Sequence, residues 1–251
     1  MIVHHSTCND HTQTFIRCLK SIRTHYPLNT IYVSKSSVSV ITDDIIRDYN
    51  ITVYNTPLDN SHIYGAMLLL NTIEDDNAVY CLLHDSMIIK KPLPESILTK
   101  RFYYNWHFEG CLWDQRENII KHIHDTPLST TERSRLLGIY TAGDACWVGL
   151  FGPSFGGNIC TLRKIIQTIG LTQATLPNFC GREELMAAER YIPTIAAYLD
   201  IVDPFPASYS LNGSIFRHPL SWGHNTSMMS IENIKNINYE SFMFKSWVAR
   251  P

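Results

Sequence analysis

An uncharged apolar run, Val79-Tyr80-Cys81-Leu82-Leu83, stops on the polar triplet His84-Asp85-Ser86 and turns apolar again at Met87-Ile88-Ile89. Such a run reads as a strand buried on both faces. Open α/β sheets bind ligands outside the carboxyl ends of their strands, so Asp85 is expected at the mouth of a cleft, where a carboxylate can hold a metal ion against a phosphorylated substrate. The alternative is an Asp that caps the next turn. A second acidic site is Gly181-Arg182-Glu183-Glu184 at the start of a helix. Neighbours on a helix point about 100° apart, so one carboxylate can face a cleft as general base while the other pairs with Arg182 or sits by the helix dipole.

Polar loops that could meet a nucleotide recur along the first ninety residues. His5, Ser6 and Thr7 follow the first apolar strand, Ser34 and Lys35 follow the second, and Asn60 with Tyr64 and Gly65 stand near the start of the third helix. The first loop lacks both a Gly-x-Gly-x-x-Gly turn and a Walker lysine, which counts against an ordinary dinucleotide site and against a P-loop. Late in the chain, Arg217-His218-Pro219-Leu220-Ser221-Trp222-Gly223-His224 offers two histidines as ligands or phosphate contacts, although a lone histidine is more often structural.

The elements that must position these residues alternate. Strands are expected at Ile2 to His4, Thr30 to Val33, Ile51 to Tyr54 and Val79 onward; helices at Thr12 to His25, Thr42 to Tyr49 (N-capped by Thr42) and about His62 to Ile73. This β-α order implies a mostly parallel, Rossmann-like sheet flanked by helices. The second half is less regular. Helices are expected over Cys160 to Ile169 and over Arg182 to Leu199, the latter interrupted at Pro193, with an irregular segment after Pro204.

With 251 residues, 45% of them hydrophobic and 11% aromatic, the chain can bury the core of one large α/β domain. A net charge of -2 and the lack of a Lys/Arg run exclude an electrostatic footprint for nucleic acid. Seven cysteines without a Cys-x-x-Cys pair argue against a disulfide framework and a zinc ribbon. No signal-peptide pattern and no apolar stretch of membrane-spanning length is present, so the expected location is cytoplasmic.

Together these parts resemble nucleotide-sugar-dependent glycosyltransferases of the GT-A fold. The likeness is carried by Arg17-Cys18-Leu19-Lys20-Ser21-Ile22, Ile31-Tyr32-Val33, Asn60 with Gly65 and Asn71, and the strand into His84-Asp85-Ser86; in the second half by Gly156-Gly157-Asn158 and Gly181-Arg182-Glu183-Glu184. The resemblance implies a single GT-A-like domain, with residues 1–90 binding a nucleoside diphosphate sugar and 91–251 binding a glycan or other hydroxyl acceptor. It implies Mn²⁺ or Mg²⁺ held by Asp85, with His218 or His224 as a further ligand, and Glu184, the second acid of its pair, as the base of an inverting transfer. The family pattern is Asp-any-Asp, whereas here one carboxylate stands between His84 and Ser86; both His84 and Asp85 could reach one ion only if the strand has already turned. The aromatic segments Tyr103-Tyr104-Asn105-Trp106 and Cys146-Trp147-Val148-Gly149 are either a sugar-stacking acceptor side or core aromatics. The rival functions are a nucleotidyltransferase and a nucleotide- or carbohydrate-binding module without turnover.

Overall fold

The structure is a computed structural model that describes residues 2–5, 12–35, 41–55, 62–109, 115–152, 154–202, 208–215 and 241–245. Its first half alternates strictly: β1 (Ile2–His5), α1 (Thr12–His25), β2 (Ile31–Lys35), α2 (Asp43–Tyr49), β3 (Ile51–Asn55), α3 (His62–Leu70) and β4 (Val79–His84). Helix α1 buries Phe15, Cys18, Leu19 and Ile22, the i, i+3, i+4, i+7 stripe of an amphipathic helix. Thr42 caps α2 by accepting from the Ile45 N–H, two acids occupy the first turn, and Asn50 ends the helix at φ 45°. Arg23 ties these pieces together, because its guanidinium donates to the carbonyls of Tyr49 at 2.7 Å, Asn50 at 2.9 Å and Asn29 at 2.7 Å.

The second half continues with β5 (Met87–Ile89), α4 (Glu95–Leu98), β6 (Phe102–Tyr104), β7 (His107–Phe108), α5 (Arg116–Asp125), α6 (Thr130–Ala142), β8 (Gly149–Leu150), β9 (Phe155–Asn158), α7 (Ile159–Ile169), α8 (Arg182–Tyr198) and β10 (Met243–Lys245). A six-stranded sheet has the order β3-β2-β1-β4-β9-β6, and two two-stranded sheets pair β10 with β5 and β7 with β8. The fold is mixed α/β, and the expectation of a mostly parallel sheet needs correction. Parallel pairing joins β1, β2, β3 and β4, whereas β9 runs antiparallel to both β4 and β6, and the two small sheets are antiparallel as well. Glycine makes the β9 insertion possible: a side-chain carbon on Gly156 would run into the Tyr103 ring, and one on Gly157, at φ 155°, into the Arg101 carbonyl.

Two further differences concern the ends of the chain. Helix α8 continues through Pro193 instead of breaking there. Proline withholds one N–H from the carbonyl four residues back, but Tyr191, Ile192, Ile195 and Ala196 are all buried around it, and this packing outweighs the lost bond. The segment expected to be irregular is anchored where it is described: Leu211 N–H donates to the Tyr104 carbonyl at 2.8 Å, and Asn212 accepts from the Phe242 N–H at 2.7 Å while donating to the Asn105 carbonyl at 2.9 Å.

Two cores cover the two faces of the sheet. Tyr80 and Leu82 of β4 enter one, with α3, α5, α7 and α8; Cys81 and Leu83 enter the other, with α1, Met87 and Trp106. Both cores draw on residues from both halves of the chain. Cys18, Cys81, Cys146, Cys160 and Cys180 are in no disulfide, the first two buried and the others half-buried; Cys8 and Cys111 lie outside the described residues.

Two stability measurements check this packing. Gly157→Ala should cost about 2 kcal/mol by overpacking the β9–β6 contact, read as a lower urea midpoint. Burial pushes the Cys18 and Cys81 thiols above their ordinary 9.0, and the phenols of Tyr64, Tyr80 and Tyr103 well above 10.0. Each therefore ionises more readily in the unfolded chain, so the stability gained by keeping them neutral is whole below the unfolded values and disappears as pH climbs past them. The urea midpoint should be level from about pH 7 to 8 and fall above about pH 9; a midpoint unchanged to about pH 11 would contradict the burial of these groups.

Candidate functional site

The strand registers gather several of the expected residues at one edge. His4 of β1 is level with Ser34 of β2 and His84 of β4, Ser34 is level with Tyr54 of β3, and the next row runs His5, Lys35, Asn55. All four parallel strands thus end together, and Asp85 follows directly on β4. Helix α3 starts beyond the end of β3, which puts Tyr64, in its first turn, on the same side; Gly65 follows it, half-buried. The Ser34 hydroxyl is buried and has no hydrogen-bond partner among the described residues. Ser6, Thr7, Asn60, His218 and His224 lie outside the described residues, as does the side chain of His5.

At the end of β4 the strand has turned, as a shared role for its neighbours requires. His84 Nδ1 lies 2.9 Å from Asp85 Oδ1, and Ser86 Oγ lies 3.3 Å from the same nitrogen. The expectation of an open carboxylate needs correction, however, because the Asp85 side chain is only 6% exposed while that of His84 is 20% exposed. Asp85 faces inward: its charge also raises the pKa of the Cys18 thiol, after burial. The imidazole is the more accessible member of the pair. Among the described residues no group of three His, Cys, Asp or Glu side chains gathers that could hold a metal ion; two of the expected ligands, His218 and His224, lie outside them.

The acidic pair divides as helix geometry requires. Glu183 is exposed, whereas Glu184 turns in and meets His122 of α5, with Glu184 Oε2 accepting from His122 Nε2. The side chains of His122 and Glu184 are 3% and 16% exposed. The imidazole packs on two aromatic rings, Phe179 at 4.9 Å and Tyr191 at 5.4 Å. Phe179, at the end of a 3₁₀ turn over Leu176–Phe179, also packs on Tyr64 at 4.6 Å. Burial first, then the electrostatic influence of Tyr191 and of the Glu184 carboxylate, holds the Tyr64 phenol well above its ordinary pKa. It remains a proton donor at any physiological pH, and its oxygen has no hydrogen-bond partner among the described residues. The fold therefore couples two of the expected residues, Tyr64 and Glu184, through groups from α3, the 3₁₀ turn, α5 and α8.

His122 is the residue that sequence reasoning overlooks. A signal exists: Ile119, His122 and Ile123 form the buried i, i+3, i+4 stripe of α5, so a titratable ring stands on an apolar face. The aromatic segments, by contrast, are core. Tyr103, Tyr104, Trp106 and Trp147 are all buried, and Trp147 donates its indole N–H to the Tyr140 carbonyl at 3.0 Å. Gly156, Gly157 and Asn158 form a central strand and the cap of α7, where the Asn158 side chain accepts from the Thr161 N–H.

No family model matches the sequence, and no curated protein matches it. Among solved structures, the chain is similar to the galactosyltransferase LgtC in complex with donor and acceptor sugar analogs, at 10% identity and a TM-score of 0.37, over 76% of this chain and 70% of that one. An active-site mutant of LgtC gives 11% identity and the same TM-score, over the same shares. A likeness at that level leaves the chemistry to be read from the residues themselves.

Tyr64→Phe separates a site from a core. It removes a buried hydroxyl that lacks a partner and keeps the ring on Phe179, so the free protein should gain about 1 kcal/mol. A loss of stability in denaturant titration would show that the hydroxyl is bonded within the fold.

Proposed function

We propose that the chain is a glycosyltransferase that moves a sugar, with inversion, from a nucleoside diphosphate donor to a hydroxyl acceptor. The observation that carries this reading is the inward Glu184 carboxylate, held at one oxygen by His122 and coupled to the Tyr64 phenol on the side where the four parallel strands end. Glu184 takes the proton of the acceptor hydroxyl as that oxygen attacks the anomeric carbon. The bond from carbon to the diphosphate oxygen breaks, and its electron pair leaves with the nucleoside diphosphate. A carboxylate buried to this degree with one hydrogen bond has a proton-accepting oxygen to spare. Glu183, exposed one residue away, stays outside the reaction in this reading.

The donor belongs, in this proposal, along the row of strand ends at His5, Ser34, Lys35 and His84, with Ser6, Thr7 and Asn60 in the adjoining loops. A buried hydroxyl at Ser34 and a part-exposed imidazole at His84 suit a polar ligand there. A divalent ion would neutralise the leaving diphosphate when bound; His218 and His224, the further ligands expected beside Asp85, lie outside the described residues, and no step is assigned to it. Asp85 is instead the group that orients the His84 ring. In this proposal the chain works as one domain, which is supported by the cores, both of which take described residues from 1–90 and from 91–251.

A second reading has one specific point in its favour: the single carboxylate at the end of β4 is buried, as suits a nucleotide- or carbohydrate-binding module without turnover. Incubation with a panel of nucleotide sugars, with and without Mn²⁺, distinguishes the two. Hydrolysis or transfer is the expected result, and binding without turnover would establish the module. With the donor so found, Glu184→Gln should cut turnover by about 10²-fold or more and leave donor binding intact. Asp85→Asn should raise the donor KM and largely spare kcat, and the reverse pattern would exchange the two roles.

A further inference from the structure

The His122 ring is confined more tightly than a helix-to-helix contact requires. Phe179 covers one face and Tyr191 stacks on it as well, with interplanar angles of 16° and 25°. Tyr191 also donates its hydroxyl to the His122 carbonyl at 3.4 Å. A ring so enclosed has one orientation, and because a carboxylate can only accept, Nε2 must carry the proton in that contact. The bond takes Oε2 of Glu184 and leaves Oε1 with no partner among the described residues. The Glu184 carboxylate is 16% exposed and near enough to the buried Tyr64 phenol to act on it electrostatically, and that phenol has no partner among the described residues. A buried phenol without a partner is costly unless another polar group joins it.

We propose that His122 is a positioning residue that fixes the Glu184 carboxylate by its Oε2, so that Oε1 alone is aimed at the attacking hydroxyl, with Tyr64 donating to the same hydroxyl's oxygen. This rests on the reading of Glu184 as base. It assigns His122 no proton transfer of its own: the imidazole keeps its Nε2 proton throughout, and the acceptor's proton ends on Glu184. The competing account is that His122 and Glu184 merely pin α5 to α8. The two differ in which half of the side chain matters, the N–H or the aromatic ring.

Two variants separate these halves. His122→Phe keeps a ring between Phe179 and Tyr191 but removes the N–H, whereas His122→Gln loses the ring and keeps a terminal N–H donor near the position of Nε2. With the nucleotide sugar that the panel shows to be turned over, His122→Phe should lower kcat by about 10²-fold at unchanged donor KM, a loss expected for a misplaced catalytic group. His122→Gln should recover most of that loss despite a lower melting temperature. A His122→Phe variant with wild-type kcat, or a His122→Gln variant as impaired as it, overturns the proposal. If Glu184→Gln keeps full turnover, the role of Glu184 falls instead. A readout independent of activity is imidazole ¹⁵N NMR of the wild-type chain: one histidine should be fixed as the Nε2–H tautomer and lose that preference in Glu184→Gln. A freely exchanging tautomer there would also overturn the proposal, even if His122→Phe failed to fold.

Discussion

Among the described residues, the two cores meet at one strand that gives a face to each. β4 sends Tyr80 and Leu82 into one core and Cys81 and Leu83 into the other, so it must lie inside the sheet, between β1 and β9. The sheet changes character at that strand, with parallel neighbours on one side and antiparallel ones on the other. The carbonyl of Leu82 receives the Asn105 amide at 3.2 Å and the Ser154 hydroxyl at 3.0 Å, so side chains from the second half of the chain complete its bonding. A strand fixed this firmly delivers its end, His84-Asp85-Ser86, to one place.

That delivery explains why the end of β4 is organised and not open. The chain turns at once into β5, whose Met87, Ile88 and Ile89 are all buried, and this draws Asp85 inward against His84. A carboxylate in that position is satisfied by its neighbour's ring nitrogen and does not present itself to solvent. The more accessible member of that pair is therefore His84. Burial has the opposite result at Glu184: one oxygen is bonded, the other is spare, and a protonated phenol is nearby.

Much of the local organisation is legible from residue order, since the forces involved act over one or two turns. The stripe of Phe15, Cys18, Leu19 and Ile22 marks α1 at its observed ends, Thr42 marks the start of α2, and adjacent glutamates separate into one exposed and one inward side chain as a helix demands. The direction of β9 is not legible. Phe155-Gly156-Gly157-Asn158 tells nothing of which strand it will adjoin until Tyr103 and the Arg101 carbonyl need the space that only glycine leaves. Pro193 misleads for a related reason, because packing from distant helices supports a turn that local rules would break.

The order of residues suffices for the alternating elements, for a strand buried on both faces, and for acids at a strand end and a helix start, because periodicity and capping are short-range effects. It does not show that His122 meets Glu184, 62 residues away, or that the aromatic segments are core. Those facts arise from how helices and sheet share volume, and a hydrogen bond or a buried ring between distant positions leaves no periodic trace in either stretch of chain.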